Sequence, residues 1–144
     1  MGQTLDTGTE NLSAEIDAGI AVITMNRPDR KNALTREMLA ALADVLAKVE
    51  VDPLSRVVVL TGAGNAFCAG GDVKGFAEGG GAGQSEGTWD EGVHNQRLSH
   101  RNTSGALYNM PKPTIAAIGG AAAGAGLSLA LACDLRVAVD TAIM

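Results

Sequence analysis

Two short stretches of this 144-residue sequence place small residues where backbone amides could do chemistry. The first is Phe67-Cys68-Ala69-Gly70-Gly71-Asp72-Val73-Lys74, which follows an apolar run. The second, residues 119–126, ends in Gly124-Ala125-Gly126. Successive small residues let a backbone approach a ligand closely and turn its N–H groups toward it. The second stretch also opens a helix, whose first amides lack internal partners and so favour negative charge. Two such donors converging on one oxygen would make an oxyanion hole, stabilising an enolate or a tetrahedral intermediate by roughly several kcal/mol. Each stretch also has a plainer reading, in which small residues only let helix and sheet pack closely. Nucleotide loops are excluded: Phe67 and Leu129 stand where a dinucleotide fingerprint starting at Gly62 or Gly124 needs glycine, and no Gly-Lys-Ser/Thr triplet occurs.

The elements that must position these stretches are readable from periodicity. Residues 12–16 and 20–25 alternate as a β-hairpin around Asp17, Ala18 and Gly19. Thr35 is a good N-cap for an amphipathic helix carrying Met38, Leu39, Leu42, Val45, Leu46 and Val49, stopped near Asp52 and Pro53. Val57-Val58-Val59-Leu60 reads as a strand buried on both faces of a parallel or mixed sheet, with a glycine turn at 62–65. Residues 77–91, with five glycines, read as a mobile loop, and 93–107 as a weaker helix with Arg97 and Arg101 on one face. A second apolar strand spans 114–118, followed by a helix at about 127–132 and a strand at 135–139. Strand, glycine-rich turn and helix thus occur twice, which suggests two equivalent turns of one α/β architecture. Residues 1–11 are expected to be a flexible tail and residues 12–144 one core.

Composition sets the outer limits. A chain of this length supports one domain. Hydrophobic residues make up 46% and charged ones 19%, against wholesale disorder, and a net charge of −5 argues against a general nucleic-acid surface. No apolar run is long enough for a membrane helix and no leader pattern opens the chain, so a cytoplasmic location without membrane contact is expected. Cys68 and Cys133 lie in apolar stretches and are expected to be reduced and buried. With His94 and His100 as the only histidines, no zinc-like spacing exists, and no metal is expected.

Three motifs, in order, carry a resemblance to a known family. Asn26-Arg27-Pro28 with Asn32-Ala33-Leu34, then Leu60-Thr61-Gly62 with the stretch from Phe67 to Asp72, then Ile118-Gly119-Gly120 through Cys133-Asp134, resemble the crotonase family of enoyl-coenzyme A hydratase/isomerase type. The resemblance spans most of residues 12–139 and implies an α/β spiral of ββα units, of which this chain would be the N-terminal part, truncated before the C-terminal helices. It also implies an acyl-coenzyme A substrate, no cofactor beyond that coenzyme, and assembly as trimers or pairs of trimers. Carried over residue by residue, the oxyanion amides would be those of Gly71 and Ala125. Arg30, Lys31 and Ala33 would lie along the coenzyme's nucleotide part, Ala69 near its adenine and Lys74 near a phosphate, with Asp72 and Val73 beside them.

One position departs from the pattern. The resemblance places a catalytic glutamate of the hydratases at Ser128, and serine cannot serve as a general acid or base without an activating partner. The second hydratase glutamate would fall beyond Met144, so little hydration by this chain alone is expected. Asp72 reads as a cap for the following turn rather than a base, and both histidines read as surface residues. Two functions remain open: an enzyme acting on a thioester through a stabilised enolate, or a thioester-binding module or fragment without chemistry of its own. Finally, Ile115, Ile118, Leu127, Leu129, Leu131, Leu135, Val137 and Val139 crowd the last third, and another copy or further chain is expected to cover them.

Overall fold

Alternation along the chain builds the first layer. In β2 (Leu12–Asp17) every second residue is buried, and β3 (Ile20–Met25) returns antiparallel with Leu12 opposite Met25 and Asp17 opposite Ile20. The computed structural model describes residues 2–73 and 87–144. Among these, β4 (Val57–Gly62), β6 (Thr114–Ile118) and β8 (Leu135–Ala138) extend the sheet in parallel and β1 (Gln3–Leu5) lies at its other edge, giving the order β1-β2-β3-β4-β6-β8. A second, two-stranded sheet pairs β5 (Ala66–Cys68) with β7 (Ala121–Ala122), again in parallel.

The chain therefore winds: β4 enters the large sheet, β5 the small one, then α2 (Trp89–Asn102) and α3 (Ser104–Tyr108) follow; β6, β7 and α4 (Ala125–Ala132) repeat the cycle. This is the α/β spiral of ββα turns expected from the sequence. Parallel strands need such crossovers, since no tight turn can join them.

The core forms where α1 (Arg36–Val51) meets this framework. Thr35 caps α1, accepting from the Met38 amide at 3.1 Å, and Met38, Leu42, Val45, Leu46 and Val49 are fully buried against Ile23, Val58, Leu60 and Phe67. Each such side chain contributes about 1.5 to 3 kcal/mol of burial. Lys112 closes the other end of α1, donating to the carbonyls of Val49 and Asp52 at 2.6 and 2.8 Å, where a cation suits the helix dipole. Asp134 pins the start of β6, its carboxylate accepting from both the amide and the hydroxyl of Thr114.

Several expectations change. The N-terminal stretch is not a tail: β1 (Gln3–Leu5) pairs with β2, and the Thr7 hydroxyl donates to Leu12 O at 2.8 Å. Backbone pairing with the free edge of β2 orders a segment whose side chains give little signal. β4 is fully buried on one face only, with Val58 and Leu60 inside and Val57 and Val59 half-exposed. The helix expected from Val93 begins at Trp89, because Thr88 and Glu91 form a reciprocal capping box; the rest of the expected loop, residues 77–86, lies outside the described residues. In the final third Ile118 and Leu129 are buried, whereas Leu131, Leu135, Val137 and Val139 are 45–65% exposed.

Candidate active site

A buried asparagine sets the foundation. After a 3-10 turn (Pro28–Arg30), Lys31 and Asn32 take left-handed backbone angles of φ 49° and 56°, which asparagine tolerates better than most residues. The Asn32 side chain, wholly buried, donates to the carbonyls of Ala63 and Ala66, each at 2.9 Å, and accepts from the Arg27 amide at 2.8 Å. The Ala69 amide then donates to Lys31 O at 2.9 Å and the Cys68 thiol to Asn32 O at 3.1 Å. Two motifs far apart in sequence are thus bonded to each other.

The same contact aims an amide. Leu34 N–H donates to Gly70 O at 2.7 Å and Asp72 N–H to Leu34 O at 3.1 Å, a parallel bridge centred on Gly71. In a parallel ladder the residue between those two bonds points its own N–H the other way. The next turn of the spiral repeats the device. Gly124, at φ 52° and ψ −125°, precedes Ala125 as Gly70, at φ 93°, precedes Gly71. At the start of α4 the amides of Gly126 and Leu127 donate to Ala123 O and that of Ser128 to Gly124 O. Neither Gly71 N–H nor Ala125 N–H has a hydrogen-bond acceptor among the described residues. The two turns touch: the Ala123 amide donates to Cys68 O at 3.0 Å, and a Cβ on Gly70 would stand 3.4 Å from Ala125 N. Gly71, Ala125 and Ser128 all line one cavity of about 1130 Å³.

Comparison with known proteins fits this geometry. The family model for enoyl-CoA hydratase/isomerase matches residues 15–144. This chain belongs to the enoyl-CoA hydratase/isomerase family. It is 44% identical over 128 residues to the Mycobacterium tuberculosis protein named "Probable enoyl-CoA hydratase EchA14", covering 89% of this chain and 46% of that one. It is 37% identical over 134 residues to the 1,2-epoxyphenylacetyl-CoA isomerase of Escherichia coli, covering 92% of this chain and 49% of that one. Among solved structures, an enoyl-CoA hydratase/isomerase from Xanthobacter autotrophicus Py2 superposes with a TM-score of 0.80 at 34% identity, covering 92% of this chain and 47% of that one. The chain spans about half the length of the curated relatives it matches.

Within this family framework, the residues named from sequence divide into two groups. Gly71, Ala125 and Ser128 share the cavity. Arg30, Lys31 and Ala69 are exposed beside one another outside its lining, joined by the Ala69–Lys31 backbone bond, while Ala33 is buried. Val73 is exposed, and Lys74 lies outside the described residues. Asp72 is buried in an ion pair with the Arg27 guanidinium at 3.1 Å, and that guanidinium also donates to Ala33 O at 2.6 Å. Its carboxylate thus helps hold Gly71 in place. The Ser128 hydroxyl donates to Gly124 O at 3.3 Å, one helical turn back. His94 and His100 are both exposed, but His100 lines the cavity. Sequence reasoning missed the three bonds of Asn32, and it missed Arg36 and Trp89 in the cavity wall. The advance signal for Arg36 was spacing, since Arg36, Leu39 and Ala43 fall on one helical face.

The two thiols are free and buried, and burial pushes each up to about 11, against hydrogen bonding that lowers it. Unfolded thiols lose their protons near 9 and the native ones near 11. Between these values the unfolded state holds fewer protons, so stability falls as pH rises through this window and is unaffected by the thiols below it. Urea melts at stepped pH should show this decline, and Cys68→Ser/Cys133→Ser should remove it. A flat profile for the parent protein would contradict buried thiols.

Proposed function

We propose that this chain forms an acyl-coenzyme A thioester site in which the Gly71 and Ala125 amides stabilise an enolate oxygen. The observation that carries this reading is the pair of acceptor-free N–H groups from adjacent spiral turns on one cavity. Donors fixed in place where charge develops are the largest single source of catalysis in many enzymes. The exposed ledge of Arg30, Lys31 and Ala69 suits the coenzyme's phosphates and adenine, and charge-assisted bonds to phosphate favour such side chains. The relatives' names support hydratase or isomerase chemistry and a role in acyl-coenzyme A metabolism, which we assign to the cytoplasm. A homo-oligomer, trimer or hexamer, belongs to the same reading and would cover the exposed apolar residues near β8.

One observation favours a second reading, a thioester binder without hydratase chemistry of its own. Ser128 bonds back to its own helix, and among the described residues no Asp or Glu lines the cavity. Both readings share a test. In calorimetric titrations an acyl-coenzyme A is expected to bind at least about tenfold more tightly than its free acid, since the thioester brings both the oxygen acceptor and the nucleotide contacts. Equal or absent binding by a folded sample would sink the assignment.

A further inference from the structure

The cavity that holds the two amides has two unlike walls. On α1 it is lined by the apolar Leu39, Ala40 and Ala43, with Arg36 at the start of the helix. Opposite, α2 presents Asn95, Gln96, Ser99 and His100 beyond the apolar Trp89 and Val93 of its first turns. An unbranched hydrocarbon chain would match the first wall and leave the second with hydrogen-bonding groups it must strip of water without replacement.

The charge on the lining is also one-sided. Its ionisable groups among the described residues are Arg36 and His100, in a protein of net charge −5. The Arg36 side chain is exposed and makes no hydrogen bond or ion pair among the described residues. Its place in the helix is unfavourable in itself. Arg36 is the first residue of α1, where the helix dipole disfavours a cation and where the neighbouring Glu37 is the charge the dipole prefers. Helix stability does not account for an arginine at this point.

We propose that the acyl group bound here ends in a carboxylate, read by Arg36 with the amide and hydroxyl groups of α2 around it. A carboxylate accepts two parallel bonds from a guanidinium, and the polar wall satisfies its remaining lone pairs. The substrate class is then the monothioester of coenzyme A with a dicarboxylic acid, and the apolar α1 wall packs on the methylenes between its two ends. This inference rests on the thioester site proposed above.

Glutaryl-coenzyme A and pentanoyl-coenzyme A have acyl chains of equal carbon count and differ in the terminal group, so they separate the two. Calorimetric titration of the parent protein is expected to favour the glutaryl thioester by about tenfold or more, the scale of one charge-assisted hydrogen bond. Arg36→Gln should abolish that preference, lowering the glutaryl affinity to about that of pentanoyl. The exposed position makes the variant safe for folding. Arg36→Gln weakening both thioesters and free coenzyme A alike would place the guanidinium at the coenzyme's phosphates and overturn the inference, as would a parent preference for pentanoyl. Binding of neither thioester by folded protein would remove the thioester site itself, a result distinct from loss of the preference.

Discussion

Replacing Ala125 by proline is expected to slow buffer-catalysed α-proton exchange of a bound acyl-coenzyme A, the buffer base taking the proton, by about a hundred- to a thousandfold, the usual cost of removing one oxyanion donor. Ala125 is the first residue of α4 and its N–H has no acceptor among the described residues, so proline deletes a donor that the fold does not use. The preceding residue raises no obstacle. Proline disfavours the α region before it, and Gly124 sits at φ 52° and ψ −125°, far from that region. Thermal melting should therefore be unchanged, and Ala125→Ser, which keeps the amide, should keep the rate. Exchange followed by NMR against the parent protein decides the matter: equal rates for folded Ala125→Pro and parent would refute a role for this amide.

Asn32→Ala is expected to cost about 3 kcal/mol, since it leaves one buried carbonyl, one part-buried carbonyl and one part-buried amide without this partner at about 1 to 3 kcal/mol each. The groups are the Ala63 and Ala66 carbonyls and the Arg27 amide, and alanine would also have to hold φ at 56°. Against a typical stability of about 5 to 15 kcal/mol this is a severe loss. Asn32→Asp should be no better, because its carboxylate would face the two carbonyls that the amide now satisfies. Urea unfolding gives the numbers, and a loss below about 1 kcal/mol would show that water can replace the clamp.

These two residues show how far the sequence could be read. The stretch holding Ala125 was accessible because a helix opening in small residues exposes amides by rule, and the family resemblance singled out Ala125 within it. The β2–β3 hairpin and α1 were accessible because their burial follows periods of two and 3.6 residues. Asn32 stood in a recognisable motif, yet its partners Ala63 and Ala66 come from a different turn of the chain, and no local pattern announces them. β1 escaped for a related reason: its order comes from backbone bonds to β2, not from its side chains. Arg36 and His100 were visible as residues, but their meeting in one cavity depends on how α1 and α2 are set against each other.

The small sheet has a geometric consequence for the two amides. Cys68 is in register with Ala122, and Gly71 and Ala125 each stand three residues further on. Neighbouring strands are separated by about 4.8 Å. Two donors at that separation, each about 2.9 Å from a shared acceptor, subtend an angle of about 110° at it. An oxygen with two lone pairs accepts comfortably at such an angle. Under the proposed reading, with that spacing carried on past the ends of β5 and β7, the gap between the donors would come from backbone pairing rather than from the side chains around it. In the proposed thioester site, sequence change would then redraw the walls, and with them the acyl group admitted, while the spacing of the two amides is kept.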